Sequence, residues 1–273
     1  MVPRRLIRDL LARGQVYSYG PDRSQRAELR LPPGAGPHPV MILIHGGSWG
    51  KRYGKPVMRG LAGDLVRRGW AVWNIEYRRL GNGGGWPTTF EDVAAAVDHL
   101  DTLDAPLDFE RVSVLGHSAG GQLALWAAGR QKLAAGAPGS IEGAPRVRLQ
   151  RVISQAGVCD LAGGYREWRG GAAGALMGGS PEQFPERYAV ADPLANIPLE
   201  IPALLVHGVI DQTVSVRQSR TYAAAALAAG AQVELVEIEG EAGGHRTHID
   251  PRTASWAVVT RSLEGFAGVA YAP

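Results

Sequence analysis

The sequence has a single cysteine, Cys159, so neither an intrachain disulfide nor a multi-cysteine zinc site is available. Cys159 is expected to be a small core residue near the end of a strand. No apolar run approaches the roughly 18 residues of a membrane span. Residues 1–14 begin with positive charge, but Arg8, Asp9 and Arg13 interrupt any apolar stretch, so neither a secretory signal nor a membrane anchor is expected. Charge of one sign is also scarce, at 29 basic against 26 acidic residues for a net +3. Residues 1–30 carry seven arginines against Asp9, Asp22 and Glu28, a solvated face rather than the basic stripe interleaved with aromatics of a nucleic-acid binder. The reading is therefore no nucleic acid, no membrane, and a setting compatible with a reducing cytoplasm. Oligomeric state has no signature in the sequence.

What is present is an alternation of short apolar, β-branched runs with helical patterns. Residues 40–45, 70–77, 111–116, 151–156, 203–208 and 233–238 read as strands buried on both faces of a parallel sheet. Residues 15–19 and 26–31 would add an edge hairpin, giving eight strands. Helical stretches fall near 56–68, 90–103, 119–130, 215–229 and 253–267. This is the pattern of βαβ units, an α/β fold with helices on both faces of a mostly parallel sheet. All 273 residues are taken as a single domain. Residues 159–199, rich in Gly and Pro, would form an irregular excursion or a small cap over the active site. The glycine-rich loop 81–87 lacks the Lys-Ser/Thr that a phosphate-binding loop requires.

Four motifs carry chemistry. Gly116-His117-Ser118-Ala119-Gly120 follows a strand and precedes a helical run, the strand–turn–helix setting of an exposed nucleophile. Side chains at 116 and 120 would collide with neighbouring backbone, and Ser118 would stand at a helix N-terminus, where developing negative charge is favoured. His45-Gly46-Gly47-Ser48-Trp49 follows another strand and suits N–H donors aimed at a tetrahedral oxyanion, with a further donor from Ala119, the residue after the nucleophile. His45 itself reads as a brace for that loop. Asp211, just past the strand at 203–208, can orient and stabilise a histidine, with Asp160 as its rival. His245, on the loop between the last strand and the last helix, can reach across the strand ends, with His248 as its competitor. The set is Ser118, Asp211 and His245.

With these residues in view, the chain from about 26 to 267 resembles the α/β-hydrolase superfamily, in which serine, acid and histidine follow in this order. In detail it resembles small esterases and arylformamidases of the kynurenine formamidase type that carry HGGxW, here His45–Trp49. Glu76-Tyr77-Arg78, Trp86-Pro87, Phe90-Glu91-Asp92 and Ile249-Asp250-Pro251 look like the same group. Ser48 stands where lipase-like esterases have a third glycine, which favours the HGGxW branch. The resemblance implies an α/β-hydrolase fold with a minimal cap and Gly47, Ser48 and Ala119 as oxyanion-hole donors. It implies hydrolysis of small or medium carboxylic esters, with formamide hydrolysis as the alternative and a non-catalytic ligand receptor on the same fold as a third. The partner would be a small-molecule ester or amide. The chemistry requires neither metal nor organic cofactor. Trp49, Trp86 and Trp168 are candidate substrate-pocket residues.

Overall fold

Residues 13–145 and 147–264 are described by a computed structural model, so the residues 1–12 read for a targeting signal and the end of the expected 253–267 helix lie outside the described residues. The strands are β1 (Gln15–Ser18), β2 (Arg26–Arg30), β3 (His38–Ile44), β4 (Ala71–Ile75), β5 (Leu107–His117), β6 (Leu149–Gln155), β7 (Ala203–Gly208) and β8 (Val233–Ile238). They form one eight-stranded sheet in the order β1-β2-β4-β3-β5-β6-β7-β8. The first two strands enter antiparallel, and every pair from β4 to β8 is parallel. The expected edge hairpin and parallel sheet are thus present. β5 is longer than the apolar run at 111–116, because its polar first half still pairs through backbone with His38 and Pro39 before a register shift.

Side-chain alternation along the strands divides the core into two layers. Ile42, Ile44 and Val114 point to one face, where they meet Phe90 of α2 (Thr88–Asp98), Leu123 of α3 (Ala119–Ala128) and Tyr222 of α7 (Arg217–Ala228). Met41, Leu43 and Leu115 point to the other, against Leu61 and Leu65 of α1 (Arg59–Arg67) and Trp256 and Val259 of α8 (Ala254–Glu264). Each of these side chains is buried, and burial of one such group contributes about 1.5–3 kcal/mol. Trp256 also ties α8 to α1, donating from Nε1 to Asp64 Oδ2 at 2.7 Å.

The segment 159–199 is more regular than expected. It folds into α4 (Leu161–Glu167), α5 (Gly171–Met177) and α6 (Pro185–Ala191), each seven residues long. The glycine pairs 170–171 and 178–179 sit at helix ends, whereas Gly163 and Gly164 lie inside α4. Pro185 opens α6, and Gly178 closes α5 in the left-handed region at φ 81°. Asp160 caps α4, its Oδ1 accepting from Gly163 N at 2.6 Å. Buried Asp192 accepts from the N–H groups of Leu161 and Ala162, both at 2.9 Å, and so fixes where α4 starts. No helix among the described residues is long and apolar enough to cross a membrane.

Candidate active site

The turn after β5 holds Ser118 at φ 56°, a conformation rare for a residue with a side chain. Tight packing enforces it. A Cβ at Gly116 would lie 1.9 Å from the Gly120 carbonyl oxygen, and one at Gly120 would lie 2.1 Å from that of Ile44. The Ser118 N–H donates to Gln155 O on the neighbouring strand at 2.9 Å, and α3 begins at the next residue. Ser118 therefore stands over the C-terminal edge of the sheet at the positive end of a helix.

Asp211 lies beyond the end of β7 and His245 beyond β8. His245 Nδ1 is 2.7 Å from Asp211 Oδ2, with the carboxylate wholly buried and the imidazole slightly exposed. Asp211 Oδ1 accepts from the N–H groups of Thr213 and Val214 at 2.8 and 3.0 Å. Burial alone would raise the Asp211 pKa, but hydrogen bonds from His207 and His245 outweigh it and hold the carboxyl well below its usual range. The group remains a carboxylate, which can fix His245 with its proton on Nδ1 and leave Nε2 free as a base. Ser118 and His245 line the same cleft of about 200 Å³.

The competitors are held elsewhere. Asp160 is committed to the α4 cap. His248 is fully buried, with Nδ1 2.5 Å from Ser255 Oγ, and burial pushes its pKa down to about 4.

The loop at 45–49 folds against the serine turn. A Cβ at Gly46 would lie 2.5 Å from the His117 carbonyl oxygen, while Ser48 and Trp49 take positive φ of 52° and 54°. Gly47, Ser48 and Ala119 therefore flank Ser118. The reading of His45 as a brace agrees with its contacts. Its Nε2 meets Glu76 Oε1 at 2.7 Å and its Nδ1 meets Gly46 O at 2.7 Å. Its ring stacks on Tyr77 at 4.4 Å, and Tyr77 Oη donates to His45 O.

Trp49 borders a second cavity beside Ser118, together with Trp168, while its Nε1 donates to Gln122 Oε1 at 3.1 Å. Trp86 lines neither cavity. Its ring meets Phe90 edge-on at 5.4 Å, and its backbone N–H donates to Leu176 O, which fastens the 81–87 loop to α5. Cys159 is buried, and burial pushes its thiol up to about 12, far from a reactive thiolate. Among the described residues no group of three or more His, Cys, Asp or Glu is arranged to hold a metal ion.

Sequence reasoning missed two kinds of residue. Tyr53, Thr213 and Arg246 line the Ser118 cleft from loops that carry no periodic signal. His117, the variable residue of the nucleophile motif, donates from Nε2 to His245 O at 2.9 Å and packs on the His245 ring at 4.7 Å. Burial drives its pKa down to about 3, so it is a neutral prop under the histidine loop.

A mostly parallel eight-stranded sheet, a serine on a strained strand-to-helix turn, and an acid and a histidine on the loops after the last two strands define an α/β-hydrolase. The chain belongs to the BD-FAE family of α/β-hydrolase esterases, whose family model matches residues 28–226. It is 28% identical over 246 residues to Esterase LipQ of Mycobacterium tuberculosis (strain ATCC 25618 / H37Rv), an alignment that takes in 85% of this chain. The chain spans only about half the length of that relative, 56%. A truncated carbohydrate esterase from gut microbiota superposes with a TM-score of 0.77 at 21% identity, covering 94% of this chain and 98% of that one. The esterase Est2 of Thermogutta terrifontis superposes with a TM-score of 0.75 at 20% identity, covering 93% and 94%. At these identities the superpositions establish a shared fold.

Proposed function

We propose that the protein is a serine hydrolase that cleaves carboxylic esters of small or medium acyl substrates. Ser118 Oγ attacks the acyl carbonyl as its proton passes to His245 Nε2. The tetrahedral oxyanion is held by the N–H groups of Gly47, Ser48 and Ala119, and in related chemistry one such donor is worth about 10²–10³ in rate. His245 then gives the proton to the departing alcohol, leaving an acyl-enzyme. A water molecule, deprotonated by the same nitrogen, releases the acid and restores Ser118. Asp211 keeps the imidazole in the required tautomer and stabilises its charged form.

The observation that carries this reading is the 2.7 Å contact between His245 Nδ1 and buried Asp211, in a chain whose strained Ser118 opens onto the same cleft. Membership of an esterase family supports it. The chain is read as one domain in which 159–199 acts as a minimal cap, supported by Trp168 and Ala172 beside Ser118. The setting is proposed as cytoplasmic, with which a single free thiol is compatible.

The test is a hydrolysis panel of p-nitrophenyl esters of graded acyl length together with N-formylkynurenine. The reading expects turnover of the short and medium esters. Cleavage of the formamide with no ester cleavage would replace it by the amidase alternative.

A further inference from the structure

Two cavities of about 200 Å³ each meet at Ser118, with Ser48 and Thr213 bordering both. Their chemistry differs. One is walled by Trp49, Val158, Trp168, Ala172 and Val214, all apolar. The other holds His245 and Arg246 with Tyr53, Val57 and Ile249. An ester breaks so that its alcohol oxygen takes the proton from the general acid, and the alcohol portion therefore leaves on the side of His245. The acyl chain is directed into the apolar cavity.

Arg246 lines the alcohol side, and Arg52 reaches the same Tyr53 ring from outside the cleft. The Arg246 guanidinium lies 5.8 Å from the centre of the Tyr53 ring and that of Arg52 lies 5.6 Å from it. Neither arginine forms an ion pair with a carboxylate among the described residues, and none of the residues lining this cleft is Asp or Glu. Glu76, which reaches the 53–55 loop, is already engaged by His45, Arg79 and the Lys55 N–H. Arg246 beside the general acid, with Arg52 on the same phenol ring, forms a receptor for a flat anion. Val57 and Ile249 give the cleft an apolar wall beside Tyr53, and each guanidinium offers paired N–H donors to a carboxylate.

We propose that the preferred substrates are esters whose alcohol portion is an aromatic ring bearing a carboxylate, recognised by Arg246 and Arg52 about Tyr53. The proposal rests on the ester-hydrolase reading. In the reaction the acyl–oxygen bond breaks, water supplies the hydroxyl of the released acid, and the carboxylated phenol leaves with the proton from His245.

The experiment compares kcat/KM for 4-carboxyphenyl acetate and its uncharged analogue 4-carbamoylphenyl acetate. It uses the wild type, Arg246→Gln, Arg52→Gln, the double variant and Arg246→Lys. The wild type should favour the carboxylate about tenfold at low salt, the scale of a charge-assisted hydrogen bond partly exposed to solvent. The ratio should fall toward one in the double variant, survive in part in Arg246→Lys, and shrink with added salt. Phenyl hemisuccinate, with its carboxylate on the acyl side, should be disfavoured against phenyl butyrate. A ratio near one in the wild type, a ratio indifferent to both arginine substitutions, or a preference for the hemisuccinate overturns the proposal while leaving the esterase reading intact. Failure to cleave even the neutral acetate overturns both.

Discussion

His245 and Asp211 are joined at 2.7 Å although they belong to loops 34 residues apart, each leaving the C-terminal end of a neighbouring strand. The parallel pairing of β7 with β8 produces this meeting, because it sends both loops to the same edge of the sheet as the Ser118 turn. Exchanging the carboxylate for an isosteric amide tests the relationship. Asp211→Asn should lower kcat by about 10³–10⁴ with little change in KM, since the amide leaves His245 in the wrong tautomer. Asp160→Asn should keep most activity, because Asp160 serves as a helix cap. Steady-state kinetics of both variants on one ester decide the matter, and a crippled Asp160→Asn would move the acid to the preceding strand.

Ser118→Ala should abolish turnover by about 10⁴–10⁶ in kcat while retaining the native circular dichroism spectrum. Labelling by a fluorophosphonate should vanish with it. Substantial residual turnover in the purified variant would remove Ser118 as the nucleophile.

The two nearby histidines should separate catalysis from stability. His245→Ala should lose as much activity as Ser118→Ala, because the two act as a unit. His248→Ala should keep its kcat but melt at lower temperature, since it empties a fully buried site and removes the partner of Ser255. Activity and thermal unfolding measured on both variants distinguish them, and the opposite pattern would show that His248 is the base.

Much of this site was legible because its residues obey strong local rules. Continuous β-branched runs mark a strand buried on both faces, and Gly116 and Gly120 are required by contacts under 2.2 Å, so the pattern announces itself. The short helices of 159–199 were not legible. Seven residues hold too few hydrogen bonds to stand alone, and beyond its local cap Asp160, α4 depends on the carboxylate of Asp192, which only the fold brings to its end. Tyr53 and Arg246 were missed for a related reason, as they approach Ser118 from separate loops whose paths no periodicity encodes. Trp86 illustrates the converse. A tryptophan on a glycine-rich loop suggests a pocket wall, but here the ring packs on Phe90.

Glu76 should matter to the reaction through His45. Glu76→Gln replaces the oxygen facing His45 Nε2 with a group that can present a competing donor, and it weakens the acceptor for the Lys55 N–H. The loop bearing Gly47 and Ser48 would lose part of its brace. The expected result is a fall in kcat of about tenfold with KM nearly unchanged, because donors to the oxyanion act chiefly in the transition state. An equal change in KM with kcat preserved would show that the loop serves ground-state binding instead.

The buried histidines make stability depend on pH. His117 and His248 keep pKa values near 3 and 4 in the folded protein, depressed mainly by burial, whereas an unfolded histidine titrates near 6.5. Below pH 6.5 the unfolded chain therefore binds protons that the folded chain refuses. Stability falls as pH drops from 6.5 toward 4, and it is fully present above 6.5. Between pH 7.5 and 5.0 each histidine should cost about 2 kcal/mol of unfolding free energy, from 1.36 kcal/mol per pH unit. Asp211 adds to the loss only below about pH 4, where an unfolded carboxyl takes up its proton, whereas Asp192, whose pKa burial raises to about 6, takes up a proton in the folded state within this window and offsets part of the loss. Urea unfolding at the two pH values measures the difference. His248→Gln should reduce the difference by about 2 kcal/mol while folding to the same structure. Equal stability of the wild type at pH 7.5 and 5.0 would show that these imidazoles accept protons without opening the fold.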